Sequence, residues 1–225
     1  MIALAERHSV AEQLELIADP DEKARREAEN GIRQFNLAIE IIRTHVKDKE
    51  RHFRLRSGII LRLHKAALEG IHPLAGTYRN TPVSIGGSEH TPVEAFMVAE
   101  EVEHLCEYVN ENWDKSAVHL AAYVLWRLNW IHPFADGNGR TARTVSYVVL
   151  SIKLDSILPG APTIPDQIAD DKDPYYRALE TTDASLKNTG TPDIGELEKL
   201  LETLLAKQLV SAANEATYPS PAKMG

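Results

Sequence analysis

Residues 115–150 read KSAVHLAAYVLWRLNWIHPFADGNGRTARTVSYVVL. The first part, 115–130, is apolar nearly all round, the pattern of a central, buried helix. A second helix is predicted from about Gly139 to Ile152, with TVSYVVL buried. Between them stand a histidine, an acid, two glycines flanking an asparagine, and two arginines, His132 to Arg143. Glycines also serve ordinary turns, and one loop can end a helix, begin the next and still present a site. Two buried helices joined in this way set the fold class as all-α.

The flanks agree. Residues 21–46 carry Phe35, Leu37, Ile39, Ile41 and Ile42 among charges and read as mostly helix. A helix over 53–69 is ended by Gly70, with Pro73 beyond it. The texture changes at GTYRNTPVSIGGSEHTP (76–92), where Val83 and Ile85 alternate ahead of a Gly86-Gly87 turn; this predicts a small β-hairpin flap. Residues 93–112 form an acidic helix with an apolar stripe. Downstream, prolines 159, 162 and 165 make a loop, and PYYRALETTDASL is a shorter helix. An amphipathic helix follows, with Leu197, Leu200, Leu201, Leu204, Leu205 and Leu209 on one side, and the last residues, TYPSPAKMG, read as frayed. No repeat or linker divides the chain. It organises as an N-terminal helical segment (1–50), a core (51–190) and a C-terminal helix with its tail (191–225) within one compact domain.

Composition bounds the function. A chain of 225 residues buries a real core. Its net charge of -8 argues against nucleic-acid binding, which depends on cationic contacts to phosphate. The single cysteine, Cys106, excludes an internal disulfide and a cysteine-based metal cluster. Histidines 64, 72, 90, 104 and 119 lack zinc-site spacing. The N-terminus carries acids early and has no signal-peptide h-region, and no stretch is of membrane-spanning length. The expectation is a cytoplasmic protein with no membrane or nucleic-acid partner.

The central loop carries the chemistry. Gly137 and Gly139 permit the close backbone approach that aims several N–H groups at one point, backed by the positive end of a helix dipole; that is an anion site. Arg140 and Arg143, three residues apart, project from one helix face and can clamp a polyphosphate. Two arginines at a helix N-terminus oppose the dipole, so they call for a negative partner. Asp136 offers a carboxylate for Mg²⁺ bridging phosphate oxygens. His132 can take a proton from an attacking hydroxyl at neutral pH, and Phe134 plugs the core beneath the loop. Together these residues form a phosphoryl- or nucleotidyl-transfer site.

The segment HPFADGNGRTAR (132–143) resembles the signature of the Fic family, H-P-F-x-[D/E]-G-N-G-R-x-x-R, at every specified position, and 76–92 looks like that family's flap. The resemblance implies a helical fold with a β-hairpin flap and transfer of AMP from ATP to a Ser, Thr or Tyr hydroxyl of a target protein. It implies that His132 is the general base and that Asp136 ligates Mg²⁺. Asn138, with the backbone of Gly137 and Gly139, would hold the α-phosphate; Arg140 would grip the β-phosphate and Arg143 the γ-phosphate. Val83, Ser84, Ile85 and Gly86 would align the target by main-chain pairing. Phosphorylating relatives of the Doc type carry a lysine-containing version of the glycine-rich part, so the G-N-G here favours AMP transfer.

Many family members restrain themselves with a glutamate that pairs with the second arginine. Glu29 is the expected candidate, paired with Arg143, and Glu215 in the C-terminal helix is the alternative. Tyr175 and Tyr176 are expected near the adenine, at least one of them as core. Three alternatives stay open: the same site run in reverse to remove AMP, a nucleotide-binding regulatory or toxin module, and association with an antitoxin or a second copy of the chain.

Overall fold

The two apolar runs around the motif form the centre of the molecule. A computed structural model of the chain describes residues 9–10, 16–48 and 52–217. In chain order these form strand β1 (Ser9–Val10), helices α1 (Pro20–Lys47) and α2 (Ser57–Leu68), and strand β2 (Ser84–Ile85). After a 3-10 turn at Ala95–Met97 come α3 (Val98–Glu111), α4 (Ala117–Ile131), α5 (Asn138–Lys153), α6 (Ile164–Asp170), α7 (Asp173–Thr189) and α8 (Gly195–Thr217). No described helix is long and apolar enough to cross a membrane. The predicted fraying of the C-terminus falls on residues 218–225, outside the described residues.

Helix α4 begins where the Ser116 hydroxyl accepts from the His119 N–H, a side-chain N-cap. Its buried residues include Leu120, Ala121, Ala122, Val124, Leu125 and Leu128, which leaves it enclosed on nearly every side. It packs most extensively against α5, which buries Ala142, Val145, Val148 and Val149. Small residues let the pair approach closely, and the Ser146 hydroxyl donates to the Ala121 carbonyl at 2.8 Å. Helix α1 lies across α2 and α5 and turns Asn30, Gln34, Ala38, Ile41 and Ile42 inward. Its buried amides finish α2: Asn30 Nδ2 donates to the Ala67 and Glu69 carbonyls, and Gln34 Nε2 to that of Leu63. Carbonyls at a helix C-terminus have no partner within the helix, so Asn30 replaces the missing turn of α2, while Gln34 adds a second acceptor contact one turn earlier.

The reading and the structure differ in detail at three places. Helix α2 starts at Ser57 rather than 53; residues 53–56 are outside any regular element, and Arg56 has an extended backbone. The proline loop contains the short helix α6, opened by Thr163 in a capping box with Asp166 and by Pro165 in its first turn. The flap does not close on itself as a hairpin among the described residues. Strand β2 pairs instead with β1, antiparallel, Ser9 opposite Ile85 and Val10 opposite Ser84.

Candidate active site

The site is made where α4 stops. His132 takes a left-handed backbone conformation (φ 52°, ψ 59°), which is rare for a residue with a side chain, and Pro133 prevents the helix from resuming. Arg79 holds this junction. It is 3% exposed, and its Nε donates to the His132 carbonyl at 2.8 Å. Its remaining guanidinium N–H groups donate to the carbonyls of Thr81, Val93 and Ile131. Its own backbone N–H donates to the Pro133 carbonyl at 2.9 Å. Burial draws the pKa of this arginine down, and four carbonyl dipoles supply the solvation that water would have given. One side chain thus ties both stems of the flap to the end of α4.

Beneath the loop, the Phe134 ring stacks on His64 with centroids 3.6 Å apart. His64 Nδ1 accepts from the Gly76 N–H at 2.9 Å, so Nε2 carries the proton and donates to the Asp136 carbonyl at 3.0 Å. Burial lowers the pKa of this histidine to about 4, so at neutral pH it is uncharged. Gly137 has φ +74°, and a Cβ there would lie 2.5 Å from Leu68 Cδ2. Glycine is therefore required both by conformation and by space. Asn138 is 3% exposed and clasps the loop from within: its Oδ1 accepts from the Phe134 N–H and its Nδ2 donates to the Phe134 carbonyl.

On the outer side of this loop opens a cavity of about 180 Å³. Every motif residue expected to act, His132, Asp136, Gly137, Asn138, Gly139, Arg140 and Arg143, lines it. So do Ile85 of the flap and both Tyr175 and Tyr176, which are at the same time buried in the core. Val83, Ser84 and Gly86 lie along the flap without lining the cavity. Asn129 and Lys172 line it without having been marked by any motif.

The cavity is cationic within an acidic chain. Arg140 Nη1 is buried with no hydrogen-bond acceptor, and its Nη2 reaches Glu27 Oε1 only at 3.5 Å. Burial lowers the Arg143 pKa, with Tyr175 and Tyr176 as its main electrostatic neighbours. Among the described residues no carboxylate lies within ion-pair distance of Arg143. His132 Nδ1 lies 3.3 Å from the Asn129 carbonyl, which can only accept, so this nitrogen is the protonated one and Nε2 carries the basic lone pair. The exposed Asp136 accepts from the Gly137 N–H through Oδ1 at 2.6 Å. Among the described residues no group of three or more His, Cys, Asp or Glu could hold a metal. A lone carboxylate fits Mg²⁺ in that ion's usual mode, with one protein ligand and the rest from phosphates and water.

The expected pairing of Glu29 with Arg143 is not made. Glu29 is exposed and pairs within α1 with Arg26, at 3.5 Å. The reason is helical phase: α1 turns Asn30 and Gln34 inward, and position 27 shares that face whereas 29 is rotated off it. The carboxylate that α1 brings to the motif helix is Glu27, and the arginine it meets is Arg140. Glu215 is exposed near the end of α8, which packs mainly on α4, α6 and α7. The sequence carried no sign of Arg79, which stands alone without a motif. Glu27 could have been found from the period of α1, since it precedes the buried Asn30 by three residues.

Residues 54–150 match the Fic/DOC family. In sequence the chain is similar to the protein adenylyltransferase fic-1 of Caenorhabditis briggsae, 30% identical over 124 residues, 54% of this chain and 24% of that one. It is 37% identical over 99 residues to the protein adenylyltransferase Fic of Nematostella vectensis, 40% of this chain and 22% of that one. The match spans about a quarter of the length of these relatives. In structure it resembles a Fic-domain-containing signaling protein of Bacteroides thetaiotaomicron VPI-5482, with a TM-score of 0.69 at 22% identity over 91% of this chain and 77% of that one. Residues 134–508 of Caenorhabditis elegans Fic-1 give 0.65 at 20% identity, covering 91% and 55%. The loop, the flap, α4 and most of α5 lie within residues 54–150, the stretch that is similar to the Fic/DOC family.

Proposed function

We propose that the cavity binds ATP and transfers its AMP to a hydroxyl of a protein segment laid along the flap. The observation that carries this reading is the pair of under-compensated arginines, Arg140 and Arg143, over the Gly137–Gly139 turn and beside His132. A buried guanidinium nitrogen without an acceptor, as Arg140 Nη1 is, is costly unless an anion completes it, and the oxygens of a triphosphate can answer both half-buried arginines. The names of the sequence relatives support the same reaction.

In the reaction, the acceptor hydroxyl oxygen attacks the α-phosphorus while His132 Nε2 takes its proton. The bond from that phosphorus to the bridging oxygen breaks, and pyrophosphate leaves with the electron pair. Arg140 and Arg143 hold the departing phosphates; backbone N–H groups of the glycine turn face the reacting one. Asn138 serves chiefly by clasping the loop, so its contribution to phosphate binding is made through the backbone. Mg²⁺ bound by Asp136 would neutralise phosphate charge when present.

The test is label transfer from ATP labelled at the α- or the γ-phosphate, in lysate, with wild type and His132→Ala. Label from the α position should reach protein only when His132 is present. Protein labelled from the γ position, or from neither, overturns the reading.

A further inference from the structure

Asn129 stands on the cavity wall in the last turn of α4, outside the motif. The orientation of its side chain is fixed by its own helix. Nδ2 donates to the Leu125 carbonyl at 2.6 Å, and a carbonyl only accepts, so the nitrogen is the end turned back along α4. Oδ1 is what remains to face a ligand. Turning the amide over would set Oδ1 against the Leu125 carbonyl and forfeit a hydrogen bond. The main chain is committed as well, since the Asn129 carbonyl lies 3.3 Å from His132 Nδ1. The side chain thus offers the cavity one neutral acceptor in a set direction.

That acceptor stands among donors. Arg140, Arg143, Lys172 and the backbone N–H groups of the glycine turn all favour anions, and ionised phosphate oxygens only accept. No oxygen of a triphosphate can answer Oδ1. The donors of ATP are its two ribose hydroxyls and the amino group of its base, and covalent structure decides between them. Under the reading above, the α-phosphorus lies beside His132 Nε2 and the outer phosphates run toward Arg140 and Arg143. The ribose is joined to that phosphorus through a single oxygen and a single methylene, whereas the amino group is on the far side of the base. Asn129 precedes His132 by three residues, about 4.5 Å along the helix axis. The sugar is the donor-bearing part within its reach.

We propose that Asn129 is a specificity-determining residue: its Oδ1 accepts from a ribose hydroxyl, so the site takes ribonucleotides in preference to deoxyribonucleotides. The proposal rests on the adenylyl-transfer reading above and specifies which nucleotides serve it. A nucleotide lacking that hydroxyl sets a C–H against a half-buried amide oxygen and leaves it unanswered. A site built to hydrogen-bond a substrate hydroxyl rejects the analogue without it.

Calorimetry on the full chain with Mg²⁺ compares ATP, 2′-deoxy-ATP and 3′-deoxy-ATP, alongside α-label transfer from ATP to lysate protein. The wild type should bind ATP about tenfold more tightly than one of the two deoxy forms. Asn129→Leu, of the same branched shape but without an acceptor, should bind all three within about twofold, by weakening on ATP alone. Asn129→Asp keeps an oxygen in place and should retain the preference, while its charge weakens all three. A partial loss of folded protein acts on the three nucleotides alike and does not move their ratio. Equal binding of the three by the wild type, or a preference that survives in Asn129→Leu, overturns the ribose assignment. If Asn129→Leu binds nothing, loss of the preference in Asn129→Asp overturns it instead. In each of these cases α-label on lysate protein leaves AMP transfer standing. A wild type that binds none of the three and transfers no α-label overturns both.

Discussion

At the scale of single residues, the site is governed by how completely each charge is answered. Glu27 meets Arg140 at 3.5 Å with both side chains about one-third exposed. Ion pairs of that kind are worth less than about 1 kcal/mol. Under the proposed function Glu27→Gln should thus lower the KM for ATP by no more than about fivefold and leave kcat unchanged, measured by pyrophosphate release. Glu29→Gln, which disturbs only a pair within α1, should leave both constants alone. The contrast shows where sequence reading ends. The motif residues were legible because a short loop must place them together whatever surrounds it. The partner of each arginine was not, since it depends on the rotation of a helix more than a hundred positions away. The two-residue step from Glu29 to Glu27 along α1 is a turn of about 200°, which puts the two carboxylates on nearly opposite sides of the helix.

At the scale of elements, the loop between α4 and α5 is supported by α2 through His64. That histidine is buried and neutral, with its pKa lowered to about 4 from an ordinary value of 6.5. Because the unfolded chain binds this proton more readily, folding stability falls as pH drops through the window from 6.5 to 4. Below that window the loss levels off at roughly 3 kcal/mol, the free energy of a shift of that size. Denaturant melts of wild type and His64→Gln should show it: the wild type loses stability on acidification across this window, and the variant, less stable at pH 7, loses less. All the long helices were legible as elements, since apolar periodicity over many residues outweighs local uncertainty. The flap was legible as extended but not in its pairing. Two residues of strand carry too little pattern to name a partner, and the chain supplied one from its far N-terminus.

At the scale of the whole molecule, the C-terminal helix is bound to the centre by a polar group amid its leucines. Gln208 is fully buried; its Oε1 accepts from the Ile164 N–H at 2.9 Å, and its Nε2 donates to the Tyr147 hydroxyl at 3.1 Å. One amide thereby fixes α8 to α5 and to the start of α6. Gln208→Leu should cost about 2 kcal/mol by leaving a buried N–H unanswered, lowering Tm by several degrees in a thermal melt. The leucine stripe had predicted an apolar seam, and nothing in the local pattern marks a glutamine as its fastening. Arg79 acts similarly at the other end, and there the result is metric. Because one guanidinium grips both flap stems and the His132 carbonyl, the flap edge and His132 are held at a set interval. Under the proposed function, an acceptor segment would then be chosen by counting along its backbone rather than by the identity of its neighbours. A hydroxyl displaced by one position along such a strand would fall on the wrong face, however similar the surrounding sequence.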